Sequence, residues 1–425
     1  MTNINDTNNV TGKLERQWEL LEEAEIDERD REAIREFVEL HRRSVENCAP
    51  NTLINDLTNL RMASKRAETP LREMDMKGVR KLLSALTTPK NRGGYGLDPD
   101  GGGIFGYKRA LRVFFDWLDD DPDYGDYEFA ERIELPSQQT DRVGEDQMLE
   151  PSEVEKLKEK ARNPRDRALI QFLADTGARI SLASQLRVGD IHDLDTNRPT
   201  FTPNPDGRGH KGAPDKNYPI LYSRAELRAY INQHHVDTRP EAPLWHVLRG
   251  YDHENPQESA VAADRIRDML RECRRRTDID KRVTPHTFRH TALTRLSRAG
   301  HSPQEIMHIA GWADERMLER YDHTSDEERN ERLRAEAGFI DEPEVGTNPP
   351  TPKTCTNCRE KVGPEARFCP TCGSPVTDDA RNAVQRQEDE FFESAARTDE
   401  LVEEVQQVRQ LLHEFPALRS AVTDC

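Results

Sequence analysis

Apolar positions in the first part of the chain recur at the three- and four-residue steps of a helix. They fall in Ile34, Phe37 and Val38 with His41, in Leu53, Leu57 and Leu60, and in Leu111, Phe114, Phe115 and Leu118. Each set lies on one helical face, so the pattern predicts several short amphipathic helices between about Lys13 and Asp120. Pro50 with Asn51, Asp75 and the run Gly101 to Gly103 punctuate them. The periodicity stops between Asp119 and Gln147, where Asp, Pro and short polar residues take over as in an interdomain linker. It resumes with a helix starting near Pro151 and Ser152 and another over Arg165 to Asp175, which ends at Thr176-Gly177. Short alternating pieces at Val188 to His192, Thr200 to Thr202 and Asn217 to Leu221 predict a small antiparallel sheet. From Arg224 the pattern is helical again to about Glu336, with breaks at Pro285, Gly300 to Pro303, Gly311 and Ser325. The predicted division is a helical domain over 1–120, a linker over 121–146, a second domain over 147–336 and a Pro-rich linker over 337–352. A cysteine module over 353–375 and an acidic helical tail over 376–425 follow. The expected class is mainly α with one small antiparallel β-sheet.

Composition narrows the possibilities. No apolar run approaches the ~20 residues that span a bilayer, which excludes a helical membrane protein. Met1 to Lys13 is Asn- and Thr-rich without an apolar stretch, so the expected location is the cytoplasm. Seven cysteines in 425 residues are too few for a disulfide scaffold. The net charge is -18, with 34% hydrophobic residues and only 14 Lys among 62 basic residues, a bias resembling that of salt-adapted, halophilic proteins. Taken globally, that charge argues against nucleic acid. Locally it reverses: Arg265 to Arg298 holds eleven Lys or Arg against four acids, a net of +7. Arg274, Arg275, Arg276, Lys281 and Arg282 form its centre and are candidate phosphate contacts for DNA.

The same segment carries the candidate chemistry. In Thr284-Pro285-His286-Thr287-Phe288-Arg289-His290-Thr291, proline suits the first helical position, which puts His286 and Arg289 three apart near an anion-favouring helix N-terminus. Alone, such a pair is more often a surface contact. It has company, however. Arg179 follows the helix-ending glycine in Thr176-Gly177-Ala178-Arg179, and Lys211 sits in Gly209-His210-Lys211-Gly212, the tip of the predicted hairpin. Ala310-Gly311-Trp312 precedes Tyr321 by nine residues.

In type, order and spacing these motifs resemble the tyrosine recombinases, the phage-integrase and Xer family, over about Gln147 to Glu336. The preceding helical block is similar to that family's core-binding domain. The resemblance implies a SAM-like helical core-binding domain followed by an α+β catalytic domain. It also implies that Arg179 and Arg289 clamp the scissile phosphate, that Tyr321 attacks phosphorus, and that Lys211 protonates the leaving 5′-oxygen. His286 would assist proton transfer, and Trp312, where many relatives have His, would donate its indole N–H or pack against the phosphate. Neither ATP nor a catalytic metal is implied. The expected function is a site-specific DNA recombinase or integrase, working on double-stranded DNA as a homo-oligomer, a tetramer on synapsed sites. A strand-swivelling relative of type IB topoisomerases and an inactive DNA-binding or zinc-ribbon adaptor are the alternatives. One position departs from the family: Leu182 stands where a carboxylate is usual three residues after the first arginine. Since the family's two domains clamp duplex DNA, Arg61, Lys65, Arg66, Lys108, Arg109 and Arg112 become candidate backbone contacts of the first domain.

Cys355-x-x-Cys358 and Cys369-x-x-Cys372 supply four thiolates at the spacing of a closed, structural Zn²⁺ site, and the module looks like a zinc ribbon. In the tail, Leu401, Val405, Val408, Leu412 and Phe415 form a short heptad seam suited to self-association or to a protein partner, within a segment of 12 acids and five arginines.

Overall fold

The computed structural model describes residues 2–120, 124, 127–136, 147–209, 215–312, 330–331, 334–335, 337–339 and 351–396. The chain forms two compact units, one over Asn8–Asp141 and one combining Met1–Thr7 with Arg142–Cys425.

In the first unit the helices are α1 (Val10–Glu22), α2 (Glu28–Glu36), α3 (Pro50–Arg66), α4 (Met76–Thr87) and α5 (Gly102–Asp120). A π-helical stretch, Phe37–Val45, prolongs α2. Local chemistry sets their starts. The side chains of Asp27 and Asp75 accept hydrogen bonds from the Arg29 and Gly78 N–H groups, and Pro50 occupies the first turn of α3. The periodic apolar residues face inward: Ile34, Phe37, Leu57, Leu60, Leu111, Phe114 and Phe115 are fully buried. The core reaches past α5, because Tyr127, Ala130 and Ile133 join it. Those residues lie in the segment whose polar composition suggested a linker; three apolar side chains among many acids are enough to seat it.

The second unit contains α6 (Pro151–Glu159), α7 (Pro164–Thr176) and α8 (Ile180–Ala183). Strands β1 (Ile191–His192), β2 (Thr200–Phe201) and β3 (Tyr218–Pro219) form an antiparallel sheet in that order, pairing Ile191 with Phe201 and Phe201 with Tyr218. Helices α9 (Arg224–Ala229), α10 (Ala263–Arg275), α11 (Pro285–Arg298) and α12 (Pro303–Ala310) follow. Strands β4 (Lys353–Thr354) and β5 (Lys361–Val362) pair in the cysteine module, and α13 is Asp378–Ala396. Helix α7 is central: every residue from Ala168 to Thr176 is buried, and it packs against α6, α9 and α11. Hence its hydrophobicity has no single face. The chain's first residues also belong here. Ile4 is buried, the Ala260 N–H donates to the Thr2 carbonyl, and Thr7 Oγ1 lies 2.6 Å from Ser184 Oγ. The Asn side chains of this segment take part as well: Asn3 Nδ2 donates to Glu258, and Asn5 Oδ1 accepts from Asn204 Nδ2 at 3.0 Å. Among the described residues no helix is long and apolar enough to cross a membrane.

Candidate active site

Two helix ends converge on one cleft. Helix α7 stops at Gly177 in the left-handed region, φ 58°, and a Cβ there would approach Ala292 Cβ of α11 to 3.0 Å. Glycine thus permits both the turn and the close approach of α11. Arg179, two residues on, is the N-cap of α8. Helix α12 stops in the same way at Gly311, φ 63°, where a Cβ would lie 2.9 Å from the Tyr218 hydroxyl of β3. Arg179 and Arg289 line this cleft together with Leu182, Phe201, Tyr218 and Gly311.

Arg289 is held from two sides. Its Nη1 donates to the Gly177 carbonyl (2.9 Å) and its Nη2 to the Ala310 carbonyl (2.8 Å), so both glycine turns orient the guanidinium. Its guanidinium carbon lies 5.1 Å from the centroid of the Trp312 ring, a cation–π contact, and the indole is buried. Leu182, also buried, lies in the cleft wall, and the two carbonyls orient Arg289 without a carboxylate at that position. Burial pushes the Tyr218 phenol up, against the opposing charges of Arg179 and Arg289.

Helix α11 starts at Pro285 with the Thr284 side chain accepting from the Thr287 N–H, which aims His286 outward near the N-terminus and turns Arg289 inward. His290, one turn after His286, is buried, and the two Nε2 atoms are 2.7 Å apart with the rings edge to face. His290 had no role assigned from sequence, although it stands in the same motif; its four-residue step from His286 was the available signal. Lys216, just before β3, places its Nζ 5.4 Å from the Tyr218 ring centroid, and partial desolvation lowers its ammonium pKa. Lys211 and Tyr321 lie outside the described residues.

Asp175, in the last turn of α7 two residues before Gly177, is buried. Its Oδ2 accepts from the N–H groups of Leu221, Tyr222 and Ser223 at 2.9 to 3.0 Å and from Ser223 Oγ at 2.8 Å. Burial raises its pKa despite the nearby Arg295 charge. No sequence motif singled it out, because its partners lie 46 to 48 residues away.

The basic candidates for DNA contact fall into two groups. In the first unit, Arg61, Lys65 and Arg66 lie on α3 and Lys108, Arg109 and Arg112 on α5, two helices packed together. Arg66 donates to the Tyr107 hydroxyl and lies over the Tyr95 ring, Arg61 donates to Gln17, and Arg109 donates to the buried Asp56 at 2.8 Å. In the second unit, Arg275 and Arg276 both pair with Glu272, Lys281 pairs with Glu153 at 2.8 Å, and Arg274 donates to the carbonyls of Asp280 and Lys281. Arg282 is exposed. Arg275 and Arg276 thus share Glu272, an acid that the +7 already counts, while Lys281 meets Glu153 from outside the segment.

The four module cysteines come together, each sulfur within 4.8 Å of the others, with Cys355 and Cys372 at 3.6 Å and Cys358 and Cys369 at 3.5 Å. A tetrahedron with metal–sulfur bonds of about 2.3 Å has edges of about 3.8 Å. The donor set and its spacing thus fit a closed Zn²⁺ site, and all four cysteines are free.

Comparison with known proteins agrees with this architecture. Residues 147–328 match the phage integrase family and residues 354–376 a zinc-ribbon domain. The tyrosine recombinase XerD of Bifidobacterium longum is 25% identical over 164 residues, covering 38% of this chain and 51% of that protein. A tyrosine recombinase of Pseudothermotoga lettingae is 27% identical over 228 residues, 52% of this chain and 70% of that one. The chain thus spans about half the length of the first of these relatives. The integrase of transposon Tn1549, solved in complex with a circular intermediate DNA, shares the fold at a TM-score of 0.50 and 16% identity, over 71% of this chain and 98% of that one. The segment that builds the arginine cleft is thus the one similar to the phage integrase family, and the four-cysteine module behind it is the one similar to a zinc-ribbon domain.

Proposed function

We propose that this protein is a site-specific DNA recombinase that cuts and rejoins double-stranded DNA through a 3′-phosphotyrosyl intermediate. The observation that carries the proposal is the arrangement of Arg179 and Arg289 on one cleft, with Arg289 locked by two backbone carbonyls and His286 on the same helix. Two guanidinium groups facing one small cleft suit the non-bridging oxygens of a phosphodiester as it becomes pentacoordinate. In the proposed reaction the Tyr321 oxygen bonds to phosphorus and the bond from phosphorus to the 5′-oxygen breaks. Lys211 supplies the proton to that oxygen, and His286, oriented by His290, assists removal of the phenolic proton. Trp312 packs under Arg289 and keeps its plane. The covalent bond retains the phosphodiester energy, so the reverse attack by a 5′-hydroxyl of another strand reseals without ATP. Working in the cytoplasm as a homo-oligomer, a tetramer on synapsed sites, the protein would hold DNA through Arg61, Lys65, Arg66, Lys108 and Arg112 of the first unit and through Arg282 and its neighbours in the second. Zn²⁺ in the ribbon would be structural.

Covalent trapping on a nicked suicide substrate at high salt tests this reading. The wild-type chain should leave a protein–DNA adduct and Tyr321→Phe none. An adduct formed by Tyr321→Phe, or none formed by wild type on its own site, refutes it.

A further inference from the structure

The cysteine module does not stand apart from the catalytic unit. Ala225, the second residue of α9, is 1% exposed and shares an apolar cluster with Cys355, Val362, Ala366 and Cys369. Glu360, between Cys358 and β5, has a side chain only 4% exposed, and its oxygens face Arg224 Nη1 at 3.2 Å and Arg228 Nη1 at 2.7 Å. These arginines are one turn apart on α9. A buried carboxylate needs cationic or hydrogen-bonding partners, and α9 provides both. At the edges of this contact Arg367 donates to Glu159 of α6 at 2.6 Å, and Gln233 donates to the Thr371 carbonyl at 3.2 Å.

The N-terminal end of α9 is also held from a second direction. Its lead-in residues Leu221, Tyr222 and Ser223 converge on Asp175 Oδ2. Asp175 immediately precedes Thr176-Gly177, and the Gly177 carbonyl orients Arg289. The short helix and its lead-in therefore link the ribbon to the carboxylate two residues before Gly177.

We propose that the zinc ribbon is an intramolecular clamp on α9, and that filling its four-cysteine site rigidifies the loop from Asp175 to Arg179. The cysteines fix the turn that carries Glu360, and Glu360 fixes α9. In turn the lead-in to α9 cages Asp175, which holds the end of α7 two residues before Gly177. On this account the ribbon acts on the cleft by supporting it from behind, and its partner is the chain's own catalytic unit. The proposal concerns the structure of the unit and holds whether or not the cleft performs the reaction above.

Hydrogen exchange and thermal melting of the full-length protein test it without DNA. Removing zinc with a chelator should speed exchange of the amides over 175–179 and 221–229 at least tenfold and lower the melting temperature of the catalytic unit. Glu360→Gln and, from the opposite side, Arg228→Ala should speed exchange in the same two segments while the chain still holds one zinc per molecule by native mass spectrometry. The proposal fails if zinc removal leaves exchange over 175–179 and 221–229 unchanged. It also fails if both variants, fully zinc-loaded, exchange there as the wild type does. DNA trapping on the same samples reports on the proposed reaction and does not enter this test.

Discussion

Arg289 shows how much of the cleft depends on one side chain. Its fork is planar and carries five N–H donors, two of them tied to the Gly177 and Ala310 carbonyls, with the plane set against Trp312. Lysine would keep the charge and lose the fork. Arg289→Lys should therefore slow single-turnover strand cleavage by on the order of 100-fold or more, the scale of losing a fixed donor to transition-state charge. Chemical unfolding should shift by only about 1 to 2 kcal/mol, as expected for lost hydrogen bonds. Cleavage near the wild-type rate would place the phosphate grip elsewhere. The same geometry accounts for Leu182: where backbone carbonyls already orient the guanidinium, a leucine can fill the cleft wall. That substitution was visible in sequence, but its compensation was not, because Gly177 and Ala310 act through backbone atoms that any residue possesses.

Among the helices of the first unit, the candidate DNA contacts and the structural ties share residues. Asp56 of α3 is 2% exposed and receives Arg42 Nε at 3.0 Å and Arg109 Nη2 at 2.8 Å. One buried carboxylate thereby joins the π-helical stretch, α3 and α5. Asp56→Ala leaves two partly buried guanidinium groups facing each other, and it should cost about 3 to 5 kcal/mol in urea unfolding. A loss below about 1 kcal/mol would mean that water replaces the carboxylate. Arg109 belongs to this tie, so its candidacy as a DNA contact is the weakest on α5. Starts and stops of the helices were legible in sequence at Pro50, Asp75, Pro151, Gly177, Pro285, Pro303 and Gly311, since caps are chemistry between neighbours. The antiparallel sheet was legible too, though its strands are two residues each and Val188–Asp190 of the predicted strand length is a 3-10 helix.

At the scale of the whole molecule, charge and burial together set its response to pH. His246 is 2% exposed, and with the proton on Nδ1 that atom donates to the Val247 carbonyl at 2.7 Å. Its Nε2 is buried without a hydrogen-bond partner among the described residues. Burial pushes its pKa down from 6.5 to about 4, and the neighbouring His235 is likewise lowered by burial. The unfolded chain therefore takes up a proton near pH 6.5 while the folded one stays neutral. The stability contributed above pH 6.5 is lost as pH falls toward 4, up to roughly 3 kcal/mol for this group. Thermal melts between pH 7 and 5 should show the decline, and His246→Gln should flatten it; equal slopes in both proteins would contradict this account.

The net charge of -18 with a +7 segment shows where sequence and structure divide the work. Sequence by itself determined the helical periodicities, the glycine and proline breaks, the four-cysteine spacing and the ordered set of Arg179, His286 and Arg289. Each of these depends on residues near one another in the chain or on side-chain chemistry that survives any context. Only the tertiary structure decided that Lys281 is already paired with Glu153, 128 residues away, and that residues 2–7 dock in the second unit. It alone revealed that Asp175 anchors the lead-in to α9 and that the ribbon seats Glu360 between Arg224 and Arg228. These partners lie far apart in the chain, 132 residues for Arg228 and Glu360, and a charge count along the chain carries no information about which charges meet.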